Sequence, residues 1–137
     1  MSPTYVFEQG APPVNERASG RYEYCLLSAA DAFFPHEADH IIAEKHGGAT
    51  TLDNLALARF DCNRFKGSDI ASLDPGPGAF VALFNPRTQR WTEHFSLDGG
   101  SIIGLTPCGS ATVRLLKLNL PVRIEVREAL ISRGRCP

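Results

Sequence analysis

Several things are missing from this sequence, and each absence excludes a class. No apolar run approaches the roughly 18 to 20 residues of a membrane span, so no membrane partner is expected. The opening MSPTYVFEQGAPP has neither the basic start nor the apolar core of a secretory signal, which makes the cytoplasm the expected location. The cysteines, Cys25, Cys62, Cys108 and Cys136, show no close pairing, so a disulfide-dense scaffold is excluded and free thiols are expected in a reducing compartment. There are no internal repeats and no low-complexity tracts. An excess of either charge is missing too, since 14 Lys and Arg face 15 Asp and Glu for a net −1.

What is present is ordinary in amount and uneven in distribution. At 137 residues, with 43% hydrophobic and 21% charged residues, the chain suits one globular domain. Up to Asp61, four Lys and Arg against nine Asp and Glu leave −5, and from Cys62 onward ten against six leave +4. Such a split fits a basic C-terminal half that grips a polyanion and acidic residues upstream that hold a cation, although the net charge alone argues against nucleic acid.

The residues predict an α+β fold. Residues 1–20, rich in proline, read as an irregular arm, and Ser28 to Phe34 as a short helix stopped by Pro35. Ala38 to Ile42 reads as a strand, His46-Gly47-Gly48 as a turn that needs positive φ, and Asn54 to Ala58 as the returning strand. Asp61 is a candidate cap for a helix starting at Cys62 and ended by Gly67. Asp74-Pro75-Gly76-Pro77-Gly78 is a loop, expected to separate a core unit (21–73) from a second part (79–137) packed with it. In that part Phe80 to Phe84, Arg90 to Phe95 and Ser101 to Leu105 suggest an antiparallel β-meander. Two helices follow, one capped by Ser110 with Val113, Leu116 and Leu120 at helical spacing, the other from about Pro121 to Ser132 and closed by Gly134.

The chemistry is concentrated in EADHIIAEKHGGATTLDNLALARFDCNRFKG, Glu37 to Gly67. Hydrolysis of a phosphodiester needs an activated water, a cation against the charge building on phosphate, and stabilisation of the departing oxygen. His40 suits the first role, because an imidazole with a pKa near 6.5 is available as a neutral base. Asp39 and Asn63 offer oxygen donors that converge if the helix packs on the hairpin, and oxygen favours Mg²⁺ or Mn²⁺. Neighbours on a regular strand point to opposite faces, so Asp39 and His40 can serve one phosphate only if the strand ends or distorts there.

In order and spacing, Asp39-His40, Gly47-Gly48, the Asn54 of Leu-Asp-Asn-Leu, and Cys62-Asn63-x-x-Lys66-Gly67 resemble the HNH endonucleases, whose ββα-metal site is a two-strand hairpin followed by a helix. Through LFNPRTQRWTEHF and GLTPCGSATVRLLKLN the resemblance extends, from about Asn15 onward, to a small bacterial branch common in cyanobacteria. It implies a metal-dependent DNA endonuclease with His40 as general base, one divalent cation on Asp39 and Asn63, and Asn54 pinning the loop backbone and so orienting His40. Double-stranded DNA is the expected substrate, with Arg64, Lys66, Arg87 and Arg90 as candidate contacts. The alternative is a non-catalytic nucleic-acid-binding domain of the same descent. His36, Glu37, His46 and His94 are left open as additions to the site.

One departure stands out. The branch frames its site with two Cys-x-x-Cys pairs on a structural zinc, and here Tyr22 and Arg59 occupy the first position of each pair, leaving only Cys25 and Cys62. Two thiols fall short of the four Cys or His ligands of a structural zinc, so none is expected. Tyr22 and Arg59 are expected to approach as a cation-aromatic pair, and packing by Phe33, Phe34, Leu55, Leu57 and Phe60 to brace the unit in the metal's stead.

Overall fold

The computed structural model describes residues 21–25, 27 and 37–135. The expected arm, the helix at Ser28 to Phe34, Phe33, Phe34, His36 and Cys136 lie outside the described residues.

The centre of the molecule is a hairpin and a helix. Strand β1 (Glu37–His40) pairs antiparallel with β2 (Leu55–Ala58), from Glu37 opposite Ala58 to His40 opposite Leu55. All four residues of β2 are buried, as the continuous apolar run LALA requires. Its outer edge is occupied too: the Glu23 N–H donates to Leu57 O at 2.9 Å and the Leu57 N–H to Glu23 Oε2 at 2.7 Å. Helix α1 (Phe60–Lys66) follows after a single residue. It begins earlier than the cap at Asp61 suggested, because the Asn63 N–H already reaches Arg59 O, and Asp61 instead takes the Cys62 N–H on Oδ1 at 3.0 Å. Gly67 ends it, at φ 52°, with its N–H on Asn63 O.

The rest is α+β, but its strands are arranged otherwise than expected. β3 (Ala71–Leu73) pairs with β4 (Phe80–Ala82) across the Pro-Gly loop, and β5 (Phe95–Asp98) pairs with β6 (Ser101–Gly104). These are separate two-stranded sheets, not one meander. The middle strand fails because Trp91–His94 is a helical turn, α2. That turn stacks Trp91 on Phe95, ring centroids 5.1 Å apart, whereas a strand would hold residues four apart at about 13 Å. Helix α3 (Pro107–Leu115) is capped by Thr106, whose side chain accepts the Gly109 N–H at 3.0 Å. Ser110 therefore lies inside the helix. Helix α4 (Pro121–Ser132) has the expected bounds.

One apolar cluster joins these pieces: Tyr22, Tyr24, Leu55 and Leu57 meet Phe84, Phe95, Ile102, Leu116 and Leu118. Polar ties reinforce it. Trp91 Nε1 donates to Tyr24 O at 3.0 Å, and the buried Thr112 hydroxyl accepts the Phe84 N–H at 2.9 Å. Leu55 and Leu57 take the bracing role foreseen for them, while Phe60 stays at the margin with Arg64 over its ring. Among the described residues no helix is long and apolar enough to cross a membrane.

Candidate active site

Two rungs tie α1 to β1. Residues two apart on a strand share a face, as do residues three apart on a helix. Glu37 and Asp39 therefore meet Asn63 and Lys66 in parallel. Asn63 Nδ2 donates to Glu37 Oε2 at 3.1 Å, and Lys66 Nζ lies 3.2 Å from Asp39 Oδ2. Tyr24 donates its hydroxyl to the same Oδ2 at 3.1 Å. Both partners sit on one oxygen of Asp39, which leaves Oδ1 as the atom that could face a cation. Burial pushes the Asp39 carboxyl up to about 6, against the opposing help of Lys66 and Tyr24.

His40 belongs to a different neighbourhood. The strand stops there and the chain bends at Ile41 and Ile42. The His40 ring turns to the loop, with Nε2 at 2.8 Å from Thr50 Oγ1 and 3.7 Å from Glu44 Oε1, and its side chain is 16% exposed. Burial pushes the imidazole below its ordinary value, with Lys66 adding to the effect and Glu44 opposing it. Asp39 and His40 thus have different partners at the point where the strand ends, and Lys66 is what links them: its ammonium also donates to His40 O at 3.0 Å and Ile41 O at 3.1 Å.

Asn54 closes the loop that carries these groups. Its Oδ1 accepts the Ile42 N–H at 2.9 Å, and its Nδ2 donates to Ile42 O at 2.9 Å and Ala49 O at 2.8 Å. An amide alone can both accept and donate in this way. The clamp dictates the glycines beside it. Gly47 has φ 88°, and a Cβ on Gly48 would lie 1.7 Å from Ile42 O and 2.8 Å from Asn54 Nδ2.

The candidate DNA contacts separate into two kinds. Lys66 is 2% exposed and spends its donors inside the protein, so it is not a phosphate contact. Arg87 pairs with Glu23 and is largely covered. Arg64 is exposed, its guanidinium 4.4 Å above the Phe60 ring, and Arg90 is exposed just ahead of α2. The basic half loses two more cations to the interior, Arg123 and Arg127. His94 binds Thr106 Oγ1 through Nδ1 at 2.7 Å and packs on Phe84, which is a structural placement; His46 is an exposed loop residue.

Around Cys25 and Cys62 the four positions 22, 25, 59 and 62 do converge. Tyr22, pushed up to about 12 mainly by burial, feels Cys25, Arg59, Asp61 and Cys62 as neighbours. The expected pairing of Arg59 with an aromatic ring gives way to an ion pair with Asp61 at 3.3 Å. Arg123 from α4 donates through Nη2 to Cys62 Sγ at 2.8 Å. The neighbouring Cys62 holds the Cys25 thiol below its ordinary value against the effect of burial.

With this geometry in view, one comparison bears on the central segment. Residues 23–69 match the family model of HNH endonucleases. The segment is an HNH domain. No curated protein and no solved structure matches the chain significantly. The HNH match runs through β1, β2 and α1 and ends two residues past Gly67, so the two later hairpins, α3 and α4 lie outside it.

HNH nucleases in general use a divalent cation, and the residues here fit one of the hard kind. Among the described residues no three His, Cys, Asp or Glu side chains gather as ligands. The oxygens at hand are those of Glu37, Asp39 and Asn63, which could hold a divalent cation.

The sequence reading missed Tyr24, Thr50, Arg123 and Arg127. For Tyr24 and Thr50 nothing in the spacing announces a partner. Arg123, Arg127 and Leu130 do fall at i, i+4 and i+7, the stripe of a buried helix face, so the two arginines were legible as interior by position though not by type.

Proposed function

We propose that this protein is a metal-dependent HNH endonuclease that hydrolyses phosphodiester bonds in DNA. The observation that carries the reading is the pair of contacts between α1 and β1, Asn63 on Glu37 and Lys66 on Asp39, which sets their oxygens along the strand that ends at His40. His40, held by Thr50 and favoured in its neutral form, takes the proton of the attacking water. Asp39 and Asn63 hold one divalent cation, Mg²⁺ or Mn²⁺, which when bound would offset charge on the phosphate and leaving oxygen. Asn54 fixes the bend after His40 and keeps the ring in place. Lys66 positions the site from within, and exposed Arg64 and Arg90 support contact with the phosphate backbone. Double-stranded DNA is the proposed substrate, cut or nicked with weak sequence preference, since no base-reading module is apparent.

The test is conversion of supercoiled plasmid with Mg²⁺, Mn²⁺ or EDTA, on the parent and on His40→Ala. Nicking that needs metal and is lost in His40→Ala supports the enzyme. Retardation of DNA without cutting in any metal would replace it by a binding domain.

A further inference from the structure

The frame around Cys25 and Cys62 has the layout of a metal site and the wrong residues for one. Positions 22, 25, 59 and 62 come together, yet they supply two thiols, a phenol and a guanidinium, where a structural zinc needs four Cys or His. Cys25, Cys62 and Tyr22 are all at most 1% exposed. The Tyr22 hydroxyl and Arg59 Nη1 are both shut off from solvent with no hydrogen-bond partner among the described residues, so neither is a ligand that has found an alternative bond.

Into this frame α4 sends Arg123, itself 2% exposed. Both of its terminal nitrogens are hydrogen-bonded, while Nε has an ion-pair neighbour but no hydrogen bond among the described residues. Nη2 donates to Cys62 Sγ at 2.8 Å, Nη1 donates to Leu116 O at 2.8 Å and Lys117 O at 3.1 Å, and Nε lies 3.7 Å from Asp61 Oδ2. Leu116 and Lys117 follow directly on α3, whose C-terminal end carries the negative pole of the helix. One buried cation thus gathers a sulfur of α1, a carboxylate of α1 and the carbonyl end of α3. A rigid, permanently charged fork of five donors suits these four partners better than the three donors of an ammonium do.

We propose that Arg123 stands in the place of a structural metal ion, as the organic cation that holds the HNH segment to α3 and α4. The role is structural, it lies outside the matched HNH segment, and it is independent of whether the site cuts DNA. The positive charge beside Cys62 thus arrives from a helix some sixty positions further on.

The experiment restores the missing thiols in the full chain, once with Arg123 kept (Tyr22→Cys with Arg59→Cys) and once with Arg123→Ala added. Zinc is the probe, read by competition with a chromophoric chelator and by melting temperature with and without it. The triple variant is expected to take up one zinc per chain and to melt higher with it. The double variant is expected to bind zinc at least about tenfold more weakly, because a fixed like charge occupies the spot. Equal zinc affinity in the two variants overturns the proposal, and so does a failure of the triple variant to take up zinc. In the otherwise unaltered chain, Arg123→Ala is expected to lower the melting temperature more than Arg123→Lys, with no rescue by zinc. An unchanged melting temperature, or a parent protein that purifies with stoichiometric zinc on these cysteines, likewise overturns it.

Discussion

The Lys66 ammonium lies 3.2 Å from the Asp39 carboxylate, and both side chains are all but sealed from water, at 2% and 3% exposure. A buried pair of this kind adds little over an apolar pair but is costly to break, since the survivor is left as an uncompensated charge. Lys66→Met is therefore expected to destabilise the protein by about 3 to 5 kcal/mol, and Asp39→Asn combined with Lys66→Met by clearly less than the sum of the single changes. Urea unfolding of the three variants checks this. Additive losses would mean that the pair does not act as one unit.

The same carboxylate predicts opposite pH trends for stability and for activity. Its folded pKa, about 6, is raised from 3.8, so the folded state binds the proton more tightly than the unfolded chain. The contribution of Asp39 to stability is then complete below about pH 4 and is lost as pH rises through 6, a slope that Asp39→Asn removes. Cation binding needs the deprotonated form, and His40 must be neutral to act as base, so nicking is expected to rise over this window. Plasmid nicking from pH 5 to 8 at fixed Mg²⁺ measures it, and a rate that is flat or falling through pH 6 refutes it.

Asn54 and Gly48 act on one bend. Asn54→Ala deletes three hydrogen bonds to Ile42 and Ala49, and is expected to cost about 1 to 3 kcal/mol while lowering the nicking rate far more than the unfolding free energy suggests. Gly48→Ala forces a Cβ onto Ile42 O and is expected to be equally damaging with every polar group intact. Nicking rates and urea unfolding on both variants provide the check. Retention of near-parental nicking by a folded Asn54→Ala would remove the amide from the site.

Salt dependence separates surface cations from interior ones. Each lost phosphate contact reduces the slope of log K against log[salt] by about 0.9 on duplex DNA. Arg64→Ala and Arg90→Ala are expected to show that reduction. Arg87→Ala, which removes a cation already paired with Glu23, is expected to leave the slope unchanged. Fluorescence anisotropy on a short duplex between low and moderate salt distinguishes them, and identical slopes for all four proteins would take the DNA surface elsewhere.

What the sequence revealed depended on range. Local signals were reliable: the apolar LALA run, the Gly47-Gly48 turn, the helix stop at Gly67 and the bounds of α4 all follow from short-range sterics and periodicity. The Asn54 clamp was legible through family resemblance, since an Asn reaching over a bend leaves no periodic trace. The meander failed because Trp91 and Phe95, five positions inclusive, read equally well as strand residues, and only the Tyr24 carbonyl and the Phe95 face decide for a turn. Counting basic residues misled for the same reason. Lys66, Arg123 and Arg127 are charges by type and core residues by partner, and their hydrogen-bond partners lie outside their own helices.

The ammonium beside Asp39 also sets the electrical account of the proposed site. Lys66 offsets Asp39, so of the two carboxylates among the oxygen donors Glu37 is the one not paired with a cation among the described residues. A dication arriving by itself gains little there, whereas one arriving with a DNA phosphate meets the further negative charge it requires. Metal and substrate are then thermodynamically linked, each tightening the other, and apparent Mg²⁺ affinity is expected to increase when measured in the presence of uncleaved DNA.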